Sequence, residues 1–140
     1  MRAFSSILLL LLLCACTKTH FGAPTTKLDP GLEITVVHAM GKRGHFHLVA
    51  SVTNWTGKQK FVNPTQWYLR LPGGHRLENR SRSEVNLLNP GETEKLKMVF
   101  PADDVDLEHL PGAELVVGGI TDHPGQYGEP IGTIVLRRKN

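Results

Sequence analysis

Leu32-Glu-Ile-Thr-Val-Val-His38, then Gly41-Lys-Arg-Gly44, then His45-Phe-His-Leu-Val-Ala-Ser-Val-Thr53, is the stretch that decides the fold. Apolar and polar side chains alternate with a period of two and β-branched residues are frequent, the pattern of half-buried strands. Phe46, Leu48, Ala50 and Val52 share one face of the second segment, and His45, His47, Ser51 and Thr53 share the other. The glycine-flanked turn between the segments predicts an antiparallel hairpin.

The same period continues toward the C-terminus. In Gln66-Trp-Tyr-Leu-Arg-Leu71 the inward face is Trp67, Leu69 and Leu71. In Thr93-Glu-Lys-Leu-Lys-Met-Val-Phe100, Leu96, Met98 and Phe100 face inward while Lys95 and Lys97 face water. Residues 113–120 and 130–137 supply two last strands. Pro72-Gly-Gly-His75 and Asn89-Pro-Gly-Glu92 are turns, the second suited to type II because glycine tolerates positive φ. Residues 101–111 include a helical turn. After residue 16 no 3.6-residue periodicity runs longer than about two turns, so no amphipathic helix of globular length is expected. Short strands separated by regular turn signals predict an all-β antiparallel sandwich of about seven strands over residues 32–138.

Upstream lies Met1-Arg-Ala-Phe-Ser-Ser-Ile-Leu-Leu-Leu-Leu-Leu-Leu-Cys-Ala-Cys16. Its apolar run is shorter than the roughly 20 residues a bilayer span needs. It fits the h-region of a signal peptide, with Arg2 as the n-region charge. Leu13-Cys14-Ala15-Cys16 resembles the lipobox of bacterial lipoproteins. That resemblance implies a leader over residues 1–15 and a lipidated Cys16, with diacylglycerol on the sulfur and an N-acyl chain on the new terminus. Several chains hold firmly where one holds weakly. Thr17, rather than an aspartate, follows the cysteine, which implies the outer membrane, facing periplasm or cell surface. Residues 16–31 are expected to be the lipidated cysteine and a flexible tether, interrupted only by Phe21 and Leu28.

Further phrases carry a second resemblance. Val52-Thr-Asn-Trp-Thr-Gly57, Phe61 to Leu71 with Gln66-Trp67, Leu88-Asn-Pro-Gly-Glu92, Val99-Phe-Pro-Ala-Asp103 and Leu107 are similar to the immunoglobulin-like, telokin-like extracellular module of bacterial lipoproteins. The likeness spans roughly residues 32–117 and implies an immunoglobulin-like sandwich. It departs from antibody domains in lacking the inter-sheet disulfide, and its first hairpin is rich in histidine. Such a fold hosts many unrelated functions.

Composition excludes several classes. The chain has 140 residues, 16 basic and 13 acidic. Loss of residues 1–15 removes Arg2 alone among the charges and leaves enough chain for one domain. The basic residues are scattered, unlike the clustered charge of a nucleic-acid binder. Cys14 and Cys16 are the only cysteines, so a domain downstream of them has no disulfide and no thiol nucleophile. No nucleophile elbow, phosphate loop or dinucleotide fingerprint is present, and no enzyme and no further cofactor is expected.

Three groups are candidates for binding. His45 and His47, at i and i+2 on a strand, share a face with Cβ atoms about 7 Å apart. With His38 on the partner strand and Met40 as a soft sulfur, they could take copper or zinc, whereas exposed histidines are otherwise simply solvated. Asp103, Asp104, Asp106 and Glu108 lack the glycine and distal glutamate of an EF-hand and read as a solvated acidic turn. Trp55, in a loop, and Tyr68 with Arg70, on the outward face opposite Trp67, are the residue types that dominate interaction hot spots. The expected function is a non-catalytic, membrane-anchored interaction module with an envelope protein or anionic surface glycan as partner. Alternatives are a periplasmic copper or zinc module and a structural accessory subunit of an envelope complex.

Overall fold

A computed structural model describes residues 18–82 and 84–140; the expected leader over residues 1–15 and the expected lipidation at Cys16 lie outside the described residues. The strands are β1 (Thr19–Gly22), β2 (Thr26–Leu28), β3 (Leu32–Lys42), β4 (His45–Asn54), β5 (Lys60–Val62), β6 (Tyr68–Arg70), β7 (Arg76–Glu78), β8 (Asn86–Leu88), β9 (Thr93–Pro101), β10 (Gly112–Val117), β11 (Ile120–Thr121) and β12 (Gly132–Arg138). Short 3-10 helices occupy Pro64–Gln66 and Leu107–His109. No helix among the described residues is long and apolar enough to cross a membrane.

The fold is all-β and antiparallel. Eight strands form one continuous path, β7-β6-β10-β12-β1-β3-β4-β9, with β2 also paired to β3, and β11-β5-β8 form a separate small sheet. The long sheet curls until its edges meet. The Arg80 N–H donates to the Val99 carbonyl at 2.9 Å, and buried Asn79 bridges the same seam by accepting from the Val99 N–H. The result is a nearly closed barrel, where the sequence predicts two stacked layers of about seven strands.

One strand accounts for the difference. β1 pairs with β12 on one side and β3 on the other. Without it, β7-β6-β10-β12 and β2-β3-β4-β9 would be two separate four-stranded sheets. Residues 19–28, read above as tether, are therefore a structural part of the domain. The physical reason is Phe21, which is 2% exposed and stacks on Phe46 with ring centroids 5.1 Å apart. That contact, with buried Thr19 and ladder hydrogen bonds to β12 and β3, works against the entropy cost of ordering the four residues.

The core follows the predicted faces. Phe46, Leu48, Ala50, Val52, Trp67, Leu69, Leu96, Met98 and Phe100 are all buried in one cluster that also takes in Leu115, Ile134 and Leu136. Val62 and Leu88 of the small sheet join it. No described residue is a cysteine, so packing and hydrogen bonding hold the domain. Two local devices set the first hairpin. Arg43 and Gly44 both have positive φ, 49° and 75°, and make the tight two-residue turn that matches strand twist. Between Val36 and His38 the β3–β4 register shifts by a bulge. Strict alternation from Leu32 would turn His38 inward; the extra residue, exposed Val37, turns His38 outward and puts Ala39 and Gly41 inside.

Candidate functional site

β4 ends at Asn54, whose side chain is fully buried. A buried amide needs partners for both its oxygen and its nitrogen, and this one has them. Its Nδ2 donates to the Lys58 carbonyl at 2.7 Å and the Leu88 carbonyl at 2.9 Å. Its Oδ1 accepts from the Thr56 N–H at 2.9 Å and the Thr56 hydroxyl at 2.7 Å. The backbone is pinned as well. The Asn54 N–H donates to the Glu92 carbonyl, the Gly91 N–H donates to the Asn54 carbonyl, and the Trp55 N–H donates to the Gly31 carbonyl at 2.8 Å. Gly31 sits at φ 145°, and a Cβ there would stand 3.3 Å from the Thr56 nitrogen, so a side chain would push this corner apart.

The Asn89–Glu92 turn braces the same corner. Gln59 donates to Asn89 Oδ1 at 2.7 Å, and the Glu92 carboxylate accepts from both the Asn89 side chain and its N–H. Those bonds hold the Glu92 carboxyl below its ordinary pKa. Within this frame the Trp55 side chain is 60% exposed, so the loop tryptophan is not folded back onto the core. It borders a groove of about 310 Å³ lined by Lys27, Gly31, Leu32 and Glu33. A large aromatic exposed to water on a pinned backbone is the kind of group that anchors a partner.

The sequence-predicted histidines share one outward face, but not as a closed site. In register, Lys42 pairs with His45, Met40 with His47, and His38 with Val49. His45 and His47 have ring centroids 6.1 Å apart. The nearest ring to His38 is His20 of β1, at 6.0 Å. His20 lies opposite Met40 and was hidden in the segment read as tether. Burial, then the charges of His45, His38 and Lys42, hold His47 below the ordinary histidine pKa. Among the described residues, the one group of three or more His, Cys, Asp or Glu with ligand atoms gathered for a metal is elsewhere: Asp106, Glu108 and His109, all exposed.

Two members of that group are already paired with each other. His109 Nδ1 and Asp106 Oδ2 are 2.7 Å apart, and this bond lowers the Asp106 pKa. Asp106 stands at the start of the short helix without capping it through its side chain. Asp103 and Asp104 are exposed and stand apart from it.

Tyr68 and Arg70 lie on the outward face as predicted, and both have internal partners. Arg70 pairs with Glu114 at 2.6 Å, which raises the guanidinium pKa, and the Arg76 guanidinium stacks 3.6 Å over the Tyr68 ring. Arg76 also pairs with Glu78. Trp67 is fully buried, as its alternation predicts, although its Nε1 has no partner.

The residue that sequence reading missed is Asn54, and a signal for it existed. Asn54-Trp-Thr56, Asn63-Pro-Thr65 and Asn79-Arg-Ser81 share one pattern. In each, the asparagine oxygen accepts from the N–H and the hydroxyl of the residue two positions on. That is the Asx-turn chemistry of chain corners. No protein-family model, no curated protein and no solved structure matches this chain.

Proposed function

We propose that this chain is a lipid-anchored protein of the bacterial envelope that binds a surface glycan through the Trp55 corner and catalyses no reaction. The anchor is Cys16, and the immunoglobulin-like kinship belongs to the same proposal. In its favour, the sheets on either side of β1 correspond to the two layers such a module would have. The observation that carries the binding reading is Trp55, 60% exposed on a backbone locked from both sides. Its flat apolar face suits the C–H face of a sugar ring, and Lys27 and Glu33, paired across the strands beside it, suit the hydroxyls of that ring. Tyr68 and Arg70, tied to Arg76 and Glu114, are less available for a partner.

A photo-crosslinking residue at position 58, beside an intact Trp55, in the lipidated protein in intact cells, tests this. It should capture a glycan, and the same residue at position 97 on the sheet face should not. Capture of a protein from position 58 would replace the glycan by an envelope protein. Equal capture from both positions, or none from position 58, would overturn the binding role of the corner.

A second reading, copper or zinc binding, is favoured by His20. It adds a fourth histidine to the face holding His38, His45, His47 and Met40. An imidazole-bound metal sits about 3.2 Å from the ring centroid, so two rings on one tetrahedral ion lie roughly 5.2 Å apart. The two observed pairs, at 6.0 and 6.1 Å, would each have to close by about 1 Å to share an ion. Equimolar copper or zinc should raise the melting temperature, and His20→Ala with His47→Ala should abolish the rise. An unchanged melt at tenfold excess metal removes this reading.

A further inference from the structure

We infer that the end of the barrel formed by Lys18, the β3–β4 turn and the tail of β12 rests on the bilayer that holds Cys16, taking lipid headgroup phosphates as its ligand and turning Trp55 away from the membrane. This rests on the lipidation proposed above and adds to it a defined orientation.

The first observation is the length of chain available. Three Cα steps separate Cys16 from Thr19, the first residue of β1. At full extension that is about 11 Å. β1 cannot peel away to lengthen the link. Thr19 and Phe21 are buried, and the strand is paired on both sides. A lipid on Cys16 therefore draws this particular end of the barrel to the membrane surface.

The second observation is which residues occupy that end. Thr19 lies opposite Gly41, so Lys42 and Arg43, at the tip of the hairpin, are next to it. Lys139 runs alongside, with its N–H donating to the His20 carbonyl, and its side chain lies over Gly22, away from this end. Lys18 precedes β1 and is exposed. Lys18, Lys42 and Arg43 are the groups that anionic headgroups attract. Asp103 and Asp104 also lie near this end, past the close of β9, where the Ala102 N–H donates to the Gly44 carbonyl. The end is mixed in charge: Lys18, Lys42 and Arg43 stand beside the start of β1, Asp103 and Asp104 lie across the hairpin, and Asp106 and Glu108 flank Leu107, which packs on Gly41. The short link to Cys16 sets which end faces the bilayer, and the three cations are its contacts for headgroup phosphate.

The opposite end follows from the strands. β3 runs from Leu32 to Lys42, and Leu32 pairs with Asn54. A strand of 11 residues spans roughly 33 Å. Strands in a barrel tilt by about 40° to its axis, so Trp55 and the Asn89–Glu92 turn face away from the bilayer at roughly 25 Å, where a partner can reach them.

Because lipid consumes Cys16 and the described domain has no other thiol, single cysteines can be added and labelled with a fluorophore. The lipidated protein is placed in vesicles of mixed zwitterionic and anionic phospholipid carrying a headgroup nitroxide quencher. A label at Arg43→Cys should be quenched at least threefold more than one at Lys58→Cys, and more strongly when anionic lipid is present. Equal quenching at both positions, or stronger quenching at 58, overturns the orientation. Mass spectrometry of the N-terminal peptide separates the two claims. If Cys16 carries no lipid, the anchor itself fails; if it does and the labels behave alike, only the orientation fails.

Discussion

Asn54→Ala is the most direct test of the binding corner, because one side chain holds four hydrogen bonds there. The bond to the Leu88 carbonyl is buried, and leaving that acceptor without its amide donor costs about 1–3 kcal/mol. The bonds to Lys58 and Thr56 are partly buried, and their loss costs roughly 0.5–1 kcal/mol each because water can replace the partner. The expected loss is about 2.5–6 kcal/mol, or roughly 10–24 °C in melting temperature for a domain of this size. Urea unfolding followed by far-UV circular dichroism measures it. Asn54→Asp sharpens the test. It keeps the shape but aims a carboxylate at the Lys58 and Leu88 carbonyls, so it prefers the protonated form when folded. That variant should recover stability relative to wild type between pH 7 and pH 4. A loss below 0.5 kcal/mol for Asn54→Ala, or no recovery of Asn54→Asp in acid, would refute the claim that this amide holds the corner.

Phe46 sits between Phe21 and Phe100, with centroids 5.1 and 6.5 Å away, so Phe46→Ala should cost about 3–5 kcal/mol by urea unfolding. Burial and neighbouring positive charge lower the His47 pKa, so the unfolded chain binds more protons near and below pH 6.5. The stability this contributes is present above that pH and is lost as pH falls through the folded pKa. His47→Gln should therefore flatten the decline in melting temperature between pH 8 and pH 5. The Arg70–Glu114 pair is exposed on both sides, so Glu114→Gln should change stability by no more than about 0.5 kcal/mol in the same assay.

Alternation along residues 45–53, 66–71 and 93–100 was enough to assign the inward faces, because side-chain direction in a strand has a period of two and needs no knowledge of the neighbour. Trp67 in the core and Tyr68 with Arg70 outside follow from the same rule. The Asn-x-Thr and Asn-x-Ser corners were equally readable, since an Asx turn closes within three residues. The exposure of Trp55 was not, because it depends on Gly31 and Glu92, both distant in sequence. Other features were settled only when strands found their partners. β1 is a strand because β12 and β3 flank it, and its four residues carry too little pattern to show this alone. The bulge at Val37 sends His38 to the same face as His45 and His47, against the phase that its own sequence sets. Local chemistry thus determines which way a side chain points along a regular strand. Where that regularity breaks, and which strands close the barrel, is decided by hydrogen bonds between segments that meet only in the folded chain.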